Sequence, residues 1–182
     1  MSKRALVLID LQRDYFPGGL CTLHRADEAV EKAAQVLEAA RAAGDYVVHV
    51  HHEFQSDDAP FFCPGSEGAF IHDRVKPLDG EDTVLKHQVN AFLETNLKEL
   101  LDARGITNIT FVGMMSHMCI DAATRAASDF GFSNIVIEDA CATFDQEFGG
   151  RVVPAEDVHA AYMSALSFAY ATVTTADSYL AS

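Results

Sequence analysis

Short apolar runs alternate along this chain with longer segments of helical spacing, and this alternation limits the folds that it can adopt. The first run, residues 5–9, ends at Asp10, and an unbroken apolar run of this length is typical of a parallel strand covered on both faces. Further strands are predicted at 46–51, 83–86, 108–113, 134–138 and 171–174. Helical spacing predicts helices at 30–41, 93–105, 119–129 and 158–169.

Strands that alternate with helices of about a dozen residues are joined by right-handed crossovers, which make the strands parallel. We therefore predict an α/β fold of three layers, α/β/α, around a central, mostly parallel sheet of six strands. At 182 residues the chain is long enough to bury a core without disulfides or metal, and we expect one domain over residues 1–182. In such sheets ligands bind at the carboxyl ends of the strands, where the strand order reverses.

Charge and cysteine content exclude several classes of protein. With 13 Lys and Arg against 27 Asp and Glu, the formal net charge is −14 and the cations are scattered, so nucleic acid is not an expected partner. The four cysteines form no CxxC pair, which favours free thiols in a reducing compartment. The N-terminal apolar run is too short for a signal peptide, and no segment approaches the roughly 20 apolar residues of a membrane span. We expect a soluble cytoplasmic protein that contacts no membrane.

Residues 52–82 interrupt the alternation with three prolines, three glycines and little periodicity. Loops of this length are usually functional or disordered. Four phenylalanines argue against disorder, because disordered segments are poor in aromatic residues. We predict a packed flap over a site.

Three chemically distinct side chains follow strands or end them. Asp10 closes the first predicted strand, Lys86 closes the third, and Cys119 opens the helix after the fourth. A helix N-terminus and a nearby ammonium both lower the pKa of a thiol, so we expect a reactive Cys119 beside Lys86. Asp10 could take the thiol proton and later return it to a leaving group.

Each of the three residues also has an ordinary structural interpretation. Cys119 can be an inert core residue, Asp10 a turn cap, and Lys86 a surface lysine on an edge strand. An acid directly after five apolar residues is nonetheless unusual, because burying a carboxylate without a partner costs several kcal/mol. This favours a site at the strand ends.

Three segments carry a resemblance to a known family. They are Leu-Ile-Asp-Leu-Gln-Arg-Asp-Tyr-Phe at 8–16, Lys-His-Gln-Val-Asn-Ala-Phe at 86–92 and Gly-Met-Met-Ser-His-Met-Cys-Ile at 113–120. In this order and context, the chain resembles the isochorismatase-like cysteine hydrolases, which include nicotinamidases and other small amidases. The resemblance implies that Asp10 is the base, Lys86 its electrostatic partner and Cys119 the nucleophile.

The same resemblance places a cis peptide bond between Met114 and Met115, in the turn before the nucleophile. The backbone N–H groups of Met115 and Cys119 would then form an oxyanion hole. Related enzymes commonly form homo-oligomers, so the resemblance also implies a homo-oligomer, dimer or tetramer, in which a neighbouring subunit can complete the site.

Departures from the family pattern refine the expected chemistry. Isochorismatases that hydrolyse a vinyl ether have glycine where this chain has Cys119, so the thiol favours acyl transfer. Nicotinamidases bind a metal through Asp-x-His, whereas this chain has His49, His51 and His52 at the end of its second strand. Two histidines without a clear third ligand are a weak metal signal, so we expect no metal and no other cofactor, and leave metal binding by these histidines open.

A second motif matches a known pattern in residue types and spacing, but not in its structural context. Residues 119–125 satisfy the Cys-x5-Arg pattern of cysteine-dependent phosphatases. Such a loop must curl its N–H groups around a phosphate, whereas Asp121 and the surrounding alanines favour a continuous helix that turns Arg125 away from Cys119. We do not expect a phosphatase.

The sequence thus predicts a hydrolase that cleaves a C–N bond of a small amide-like molecule through a thioester on Cys119. Two alternatives stay open: a vinyl ether hydrolase that needs no thiol, and a catalytically silent binding protein on the same fold. Four aromatic side chains are candidates for contact with the substrate. Ordinary packing in the core is an equally good interpretation of them. They are Phe16, Phe92, His117 and Phe144.

Overall fold

The computed structural model describes residues 3–56 and 58–181, and its centre is a parallel sheet of six strands. In chain order the sheet strands are β1 (Arg4–Ile9), β2 (Tyr46–His52), β3 (Asp82–Lys86), β4 (Asn108–Met114), β5 (Ser133–Ala142) and β8 (Thr172–Thr174). Their spatial order is β3-β2-β1-β4-β5-β8, and every neighbouring pair is parallel. The strand order reverses between β1 and β4, so a crevice is expected at their carboxyl ends.

Helices cover both faces of the sheet. They are α1 (Ala26–Ala43), α2 (Leu97–Ala103), α3 (Asp121–Asp129), α4 (Ala155–Ala169) and α5 (Ala176–Leu180). One hydrophobic cluster joins α1 and α5 to the sheet, and a second joins α2, α3 and α4 to it. This confirms the predicted three-layer α/β/α fold. Within residues 3–56 and 58–181, no helix combines the length and apolar character needed to cross a membrane.

The composition of β1 follows from its central position. Leu6 and Leu8 pack in the cluster beneath α1, whereas Val7 and Ile9 pack in the cluster on the opposite face. Because successive side chains of a strand point to opposite faces, a strand covered on both sides needs apolar residues at every position. The unbroken run before Asp10 is therefore explained by burial on two faces.

The structure differs from the predicted elements in the chain that follows β4. Strand β5 extends to Ala142, and its pairing with β4 shifts register between Phe111 and Gly113. A short antiparallel hairpin of β6 (Gln146–Phe148) and β7 (Arg151–Val153) follows it. Three-residue strands give too short a pattern for sequence reasoning to detect.

The predicted first residues of helices α2 and α3 are also wrong. Helix α2 begins at Leu97 rather than at residue 93. Helix α3 begins at Asp121, because Ser116–Ile120 forms a π-helical turn in which Ile120 N–H donates to the Met115 carbonyl. Such turns occur often at functional sites.

The long segment after β2 is packed, as its aromatic content predicts. Its Phe62 ring lies 4.6 Å from the Tyr15 ring and is fully buried. The Asp14 carboxylate accepts hydrogen bonds from Phe62 N–H at 2.7 Å and Leu20 N–H at 3.1 Å. The flap is thus fixed to the chain that follows β1.

Gly113 is a point where β4 approaches β1 too closely for any side chain. Its φ is +132°, and a Cβ would overlap the Ile9 carbonyl oxygen. We expect Gly113→Ala to lower the free energy of unfolding by about 3 kcal/mol or more, through backbone strain and overpacking. Chemical denaturation measures this loss.

Gly131→Ala is the matched control, because Gly131 also has a positive φ, +90°, but its Cβ would meet open space. We expect that variant to lose about 1 kcal/mol. Equal losses in the two variants would contradict the close approach at Gly113.

Candidate active site

The carboxyl ends of three strands bring Asp10, Lys86 and Cys119 together. Asp10 follows β1 with a φ of +52°, and its N–H donates to the Val50 carbonyl at 2.9 Å. Lys86 is the last residue of β3, and Cys119 lies in the π-helical turn after β4. The three residues are buried.

The Lys86 ammonium is the centre of the cluster. Its Nζ lies 2.8 Å from Asp10 Oδ2 and 3.3 Å from Cys119 Sγ. It also lies 3.0 Å from His52 Nδ1, and it donates to the Gln88 carbonyl at 3.1 Å. Burial lowers the pKa of Lys86, but the charge of Asp10 and the contacts with Asp10 and Cys119 raise it more, so its pKa is above the ordinary value. The lysine is therefore charged at neutral pH.

The Cys119 thiol differs from the sequence-based expectation. Burial raises its pKa above the ordinary value, Asp10 raises it further, and Lys86 opposes both only in part. The expected lowering of the thiol pKa is wrong, because Cys119 is only 6% exposed and lies beside the Asp10 carboxylate. The thiol keeps its proton at rest, next to a carboxylate that can accept it.

The turn before Cys119 contains the expected cis peptide bond between Met114 and Met115. The Met115 carbonyl accepts hydrogen bonds from Met118 N–H at 3.1 Å and Ile120 N–H at 3.2 Å, which closes the turn. The assignment of Met115 and Cys119 N–H groups to an oxyanion hole stays a prediction.

A hydrogen-bonded chain of side chains connects this turn to α4 and β5. Ser116 Oγ lies 2.8 Å from His159 Nδ1, and His159 Nε2 lies 3.2 Å from Glu138 Oε2. Ser116 is fully buried, whereas the other two residues line a cavity of about 220 Å³. Sequence reasoning missed this chain, because its members come from three separate elements and no local pattern connects them.

Comparisons with known proteins agree with this fold. The family model for the isochorismatase domain matches residues 4–178. The chain belongs to the isochorismatase family. It is 44% identical over 176 residues to the isochorismatase family protein YddQ of Bacillus subtilis, covering 97% of this chain and 98% of YddQ. A crystal structure of an isochorismatase hydrolase from Oleispira antarctica superposes with a TM-score of 0.95 at 53% identity, over 98% of this chain and 96% of that one.

Relatives within the isochorismatase family include amidohydrolases. Streptothricin hydrolase of Streptomyces noursei is 35% identical over 151 residues, 78% of this chain and 50% of that protein. Ureidoacrylate amidohydrolase RutB of Agrobacterium fabrum is 28% identical over 172 residues, 76% of this chain and 75% of RutB. N-carbamoylsarcosine amidase of Thermoplasma acidophilum has a TM-score of 0.81 at 26% identity, over 97% of this chain and 98% of that one.

The four aromatic residues predicted to contact substrate separate into three places on this isochorismatase fold. The His117 ring lies 5.9 Å from the Phe144 ring. Phe16 is buried in the cluster beneath α1, with its ring 4.2 Å from that of His72. Phe92 is buried in the same cluster as Cys119. The structure brings His117 and Phe144 together, and the substrate role of all four stays a prediction.

Two of the three histidines of β2, His49 and His52, have partners other than a metal. His49 Nε2 lies 2.8 Å from Glu81 Oε2, and burial lowers the pKa of His49. His52 Nδ1 faces the Lys86 ammonium, whose charge opposes a cation at that nitrogen. In the described part of the chain, no group of three or more His, Cys, Asp or Glu side chains could hold a metal ion.

The phosphatase pattern is not realised as a phosphate-binding loop. Asp121–Asp129 is α-helical, and Arg125 Nε donates to both Asp121 carboxylate oxygens at 2.9 Å. The guanidinium also stacks over the Tyr170 ring at 4.5 Å. The arginine is thus bound on the helix surface, as the alanine-rich sequence predicts.

The substitution Asp10→Asn tests which neighbouring charge controls the pKa of the Cys119 thiol. Removing the carboxylate removes an influence that raises the pKa of Cys119 and leaves Lys86, which lowers it. We therefore expect a lower thiol pKa and faster alkylation of Cys119 by iodoacetamide at pH 7–8, measured by peptide mass spectrometry.

Cys141 provides the internal control for that measurement, because burial raises its pKa to about 12 and Asp10 does not act on it. Its alkylation is expected to be unchanged in folded Asp10→Asn, with the fold checked by circular dichroism. Slower or unchanged alkylation of Cys119 would contradict the assignment of Asp10.

Proposed function

We propose that this protein is a cysteine amidohydrolase, which cleaves the C–N bond of a small, neutral amide-like molecule through a thioester on Cys119. The observation that supports this most is the buried contact of a carboxylate, an ammonium and a thiol, with Lys86 Nζ 2.8 Å from Asp10 and 3.3 Å from Cys119. These are a base, a counter-ion and a nucleophile for acyl transfer. The amidohydrolases among its relatives support the same reaction class.

The proposed reaction begins with proton transfer inside the cluster. Asp10 takes the thiol proton as the Cys119 sulfur attacks the substrate carbonyl carbon. The N–H groups of Met115 and Cys119 hold the oxyanion. The C–N bond then breaks, and the amine leaves with the proton that Asp10 returns, which gives the thioester.

Water completes the cycle. Asp10 takes a proton from the water as its oxygen attacks the thioester carbonyl, and the C–S bond breaks. The thiolate recovers the proton from Asp10, and the carboxylic acid leaves. No cofactor enters this scheme.

Lys86 has an electrostatic role in the scheme. Because the thiol is protonated at rest, negative charge appears on sulfur only during attack, and the ammonium at 3.3 Å stabilises it there. The ammonium also fixes the carboxylate, since Asp10 Oδ2 contacts it directly. The site is neutral overall, with one carboxylate and one ammonium, which suits an uncharged substrate.

The remaining expectations are part of the same proposal. We infer that His117 and Phe144 form a wall of the substrate pocket, and contact of Phe16 and Phe92 with the substrate stays a prediction. A single domain, a cytoplasmic location and a homo-oligomeric assembly, dimer or tetramer, stay predictions from the sequence, as does the expectation that nucleic acid is not a partner.

Cys119→Ala tests the covalent step. We expect release of ammonia or amine from a panel of small amides to fall at least about 10³-fold, because the alanine cannot form the thioester. Intact-mass spectrometry is expected to show an acyl adduct on the parent enzyme and none on the variant.

Cys21→Ser is the matched control, since Cys21 is a half-buried free thiol outside the cluster, and its activity is expected to match that of the parent. Full activity of Cys119→Ala would overturn the acyl-enzyme and favour hydrolysis without a thiol, as in a vinyl ether hydrolase. A parent enzyme that turns over no amide and forms no adduct would favour a binding protein.

A further inference from the structure

The π-helical turn that carries the nucleophile is held from two sides by side-chain hydrogen bonds. Ser116 Oγ lies 2.8 Å from Nδ1 of His159, a residue of α4. The next residue, His117, has its Nδ1 2.6 Å from Oγ1 of Thr143, which follows β5. Ser116 directly follows Met115, whose N–H is a proposed oxyanion donor. The contact of Ser116 with α4 therefore acts on the chain next to that donor.

The contact between Ser116 and His159 does not depend on the charge of the imidazole. His159 Nε2 lies 3.2 Å from Glu138 Oε2, and an ionised carboxylate can only accept, so Nε2 carries a hydrogen. In a neutral ring Nδ1 accepts from the Ser116 hydroxyl, and in a charged ring Nδ1–H donates to the hydroxyl oxygen. Glu138 thus orients the ring, and the ring binds Ser116 in both states.

This polar contact lies in a region that otherwise packs through apolar side chains. Ser116 is fully buried, and a buried hydroxyl costs free energy unless it is hydrogen-bonded. Ile120 of the turn and Met163 of α4 belong to one hydrophobic cluster. Apolar packing has no direction, whereas a hydrogen bond weakens steeply with its angle. The Ser116 hydroxyl therefore contributes an orientation that apolar packing does not.

We propose that His159 is a positioning residue for the reaction, which through Ser116 keeps the Met115 N–H directed at the carbonyl oxygen of the substrate. This rests on the proposed function, because the oxyanion forms only when Cys119 attacks a carbonyl carbon. Glu138 orients the ring, and the ring holds the residue next to the donor. A misdirected donor stabilises the oxyanion less, while the substrate in its ground state binds almost as well. Loss of the contact therefore lowers kcat more than it raises KM.

Two substitutions of His159 separate its two nitrogens. In His159→Asn the amide group can take the place of Nδ1, which keeps the contact with Ser116 and loses that with Glu138. In His159→Gln the amide group can take the place of Nε2, which keeps Glu138 and loses Ser116. Ser116→Ala removes the same contact from the other side. His24→Gln is the matched control, because His24 lines the same cavity as His159 but pairs with Glu156.

The test measures ammonia release from the panel of small amides and the rate at which iodoacetamide alkylates Cys119. We expect His159→Gln and Ser116→Ala to lower kcat at least about tenfold, with little change in KM. The double variant is expected to lose no more than either single variant, since both substitutions remove one contact. His159→Asn is expected to lose much less than His159→Gln, and His24→Gln to stay within about threefold of the parent.

Alkylation distinguishes positioning of the oxyanion donor from general damage to the site. Iodoacetamide reacts at a saturated carbon, so its reaction with Cys119 needs no oxyanion hole. We therefore expect the alkylation rate in His159→Gln and Ser116→Ala to stay within about threefold of the parent, with the fold checked by circular dichroism.

Three results would overturn the inference and indicate a purely structural contact. They are an unchanged kcat in His159→Gln, equal losses of kcat in His159→Asn and His159→Gln, and an alkylation rate that falls as far as kcat does.

Failure of the proposed function gives a different result, since the parent then releases ammonia from no amide. The probe is then a small aldehyde, propanal or benzaldehyde. Cys119 Sγ adds to its carbonyl carbon, the thiol proton moves to the oxygen, and the oxygen of this hemithioacetal takes the place of the oxyanion. Protection of Cys119 from iodoacetamide gives the Kd of the aldehyde, which we expect to be at least about tenfold higher in His159→Gln than in the parent. Equal Kd values, or a parent that binds neither aldehyde, would contradict the role of His159.

Discussion

The buried contact between the Asp10 carboxylate and the Lys86 ammonium is the interaction on which the rest of this site depends. Removing two charges from water costs several kcal/mol for each ion, and only close pairing with further hydrogen bonds offsets that cost. The pair comes from β1 and β3, which are separated by β2, so Lys86 must reach across the end of β2. The pairing of Ile9 with Val50 and of His52 with Lys86 aligns the three strand ends. A register slip would separate the charges, so the ion pair and the strand register reinforce each other.

One short segment after β1 organises both the site and the flap above it. Asp10 lies beside the Cys119 thiol, and two residues later the buried Gln12 amide binds the backbone of His52 and the Ala69 carbonyl of the flap. Asp14 then holds Phe62, whose ring packs near that of His52. Gly68 lies against the Asp14 carboxylate, where any Cβ would overlap it. These alternate polar residues explain why an acid and an amide interrupt an otherwise apolar stretch of sequence.

The sequence predicts the sheet and the proximity of Asp10, Lys86 and Cys119, because both follow from short-range patterns of residues. Apolar runs identify parallel strands, and the carboxyl ends of parallel strands meet at one edge, which places Asp10 and Lys86 together. The π-helical turn around Cys119 is closed by local hydrogen bonds to the Met115 carbonyl, and helical spacing cannot distinguish it from the start of α3. The raised pKa of Cys119 depends on the burial produced by the whole fold. The contact of His52 with Lys86 is equally hidden, since its sequence context, three histidines near a strand end, points first to a metal.

The protonated state of Cys119 also affects how fast oxidants damage the protein. Peroxide and other oxidants attack the thiolate form of cysteine, so a buried thiol with a raised pKa reacts with them slowly. In the proposed reaction, nucleophilicity appears only when a substrate carbonyl is present to receive the sulfur while Asp10 takes the proton. Under that proposal the cluster keeps its sulfur unreactive towards oxidants between turnovers, a form of protection that a permanently ionised cysteine does not have.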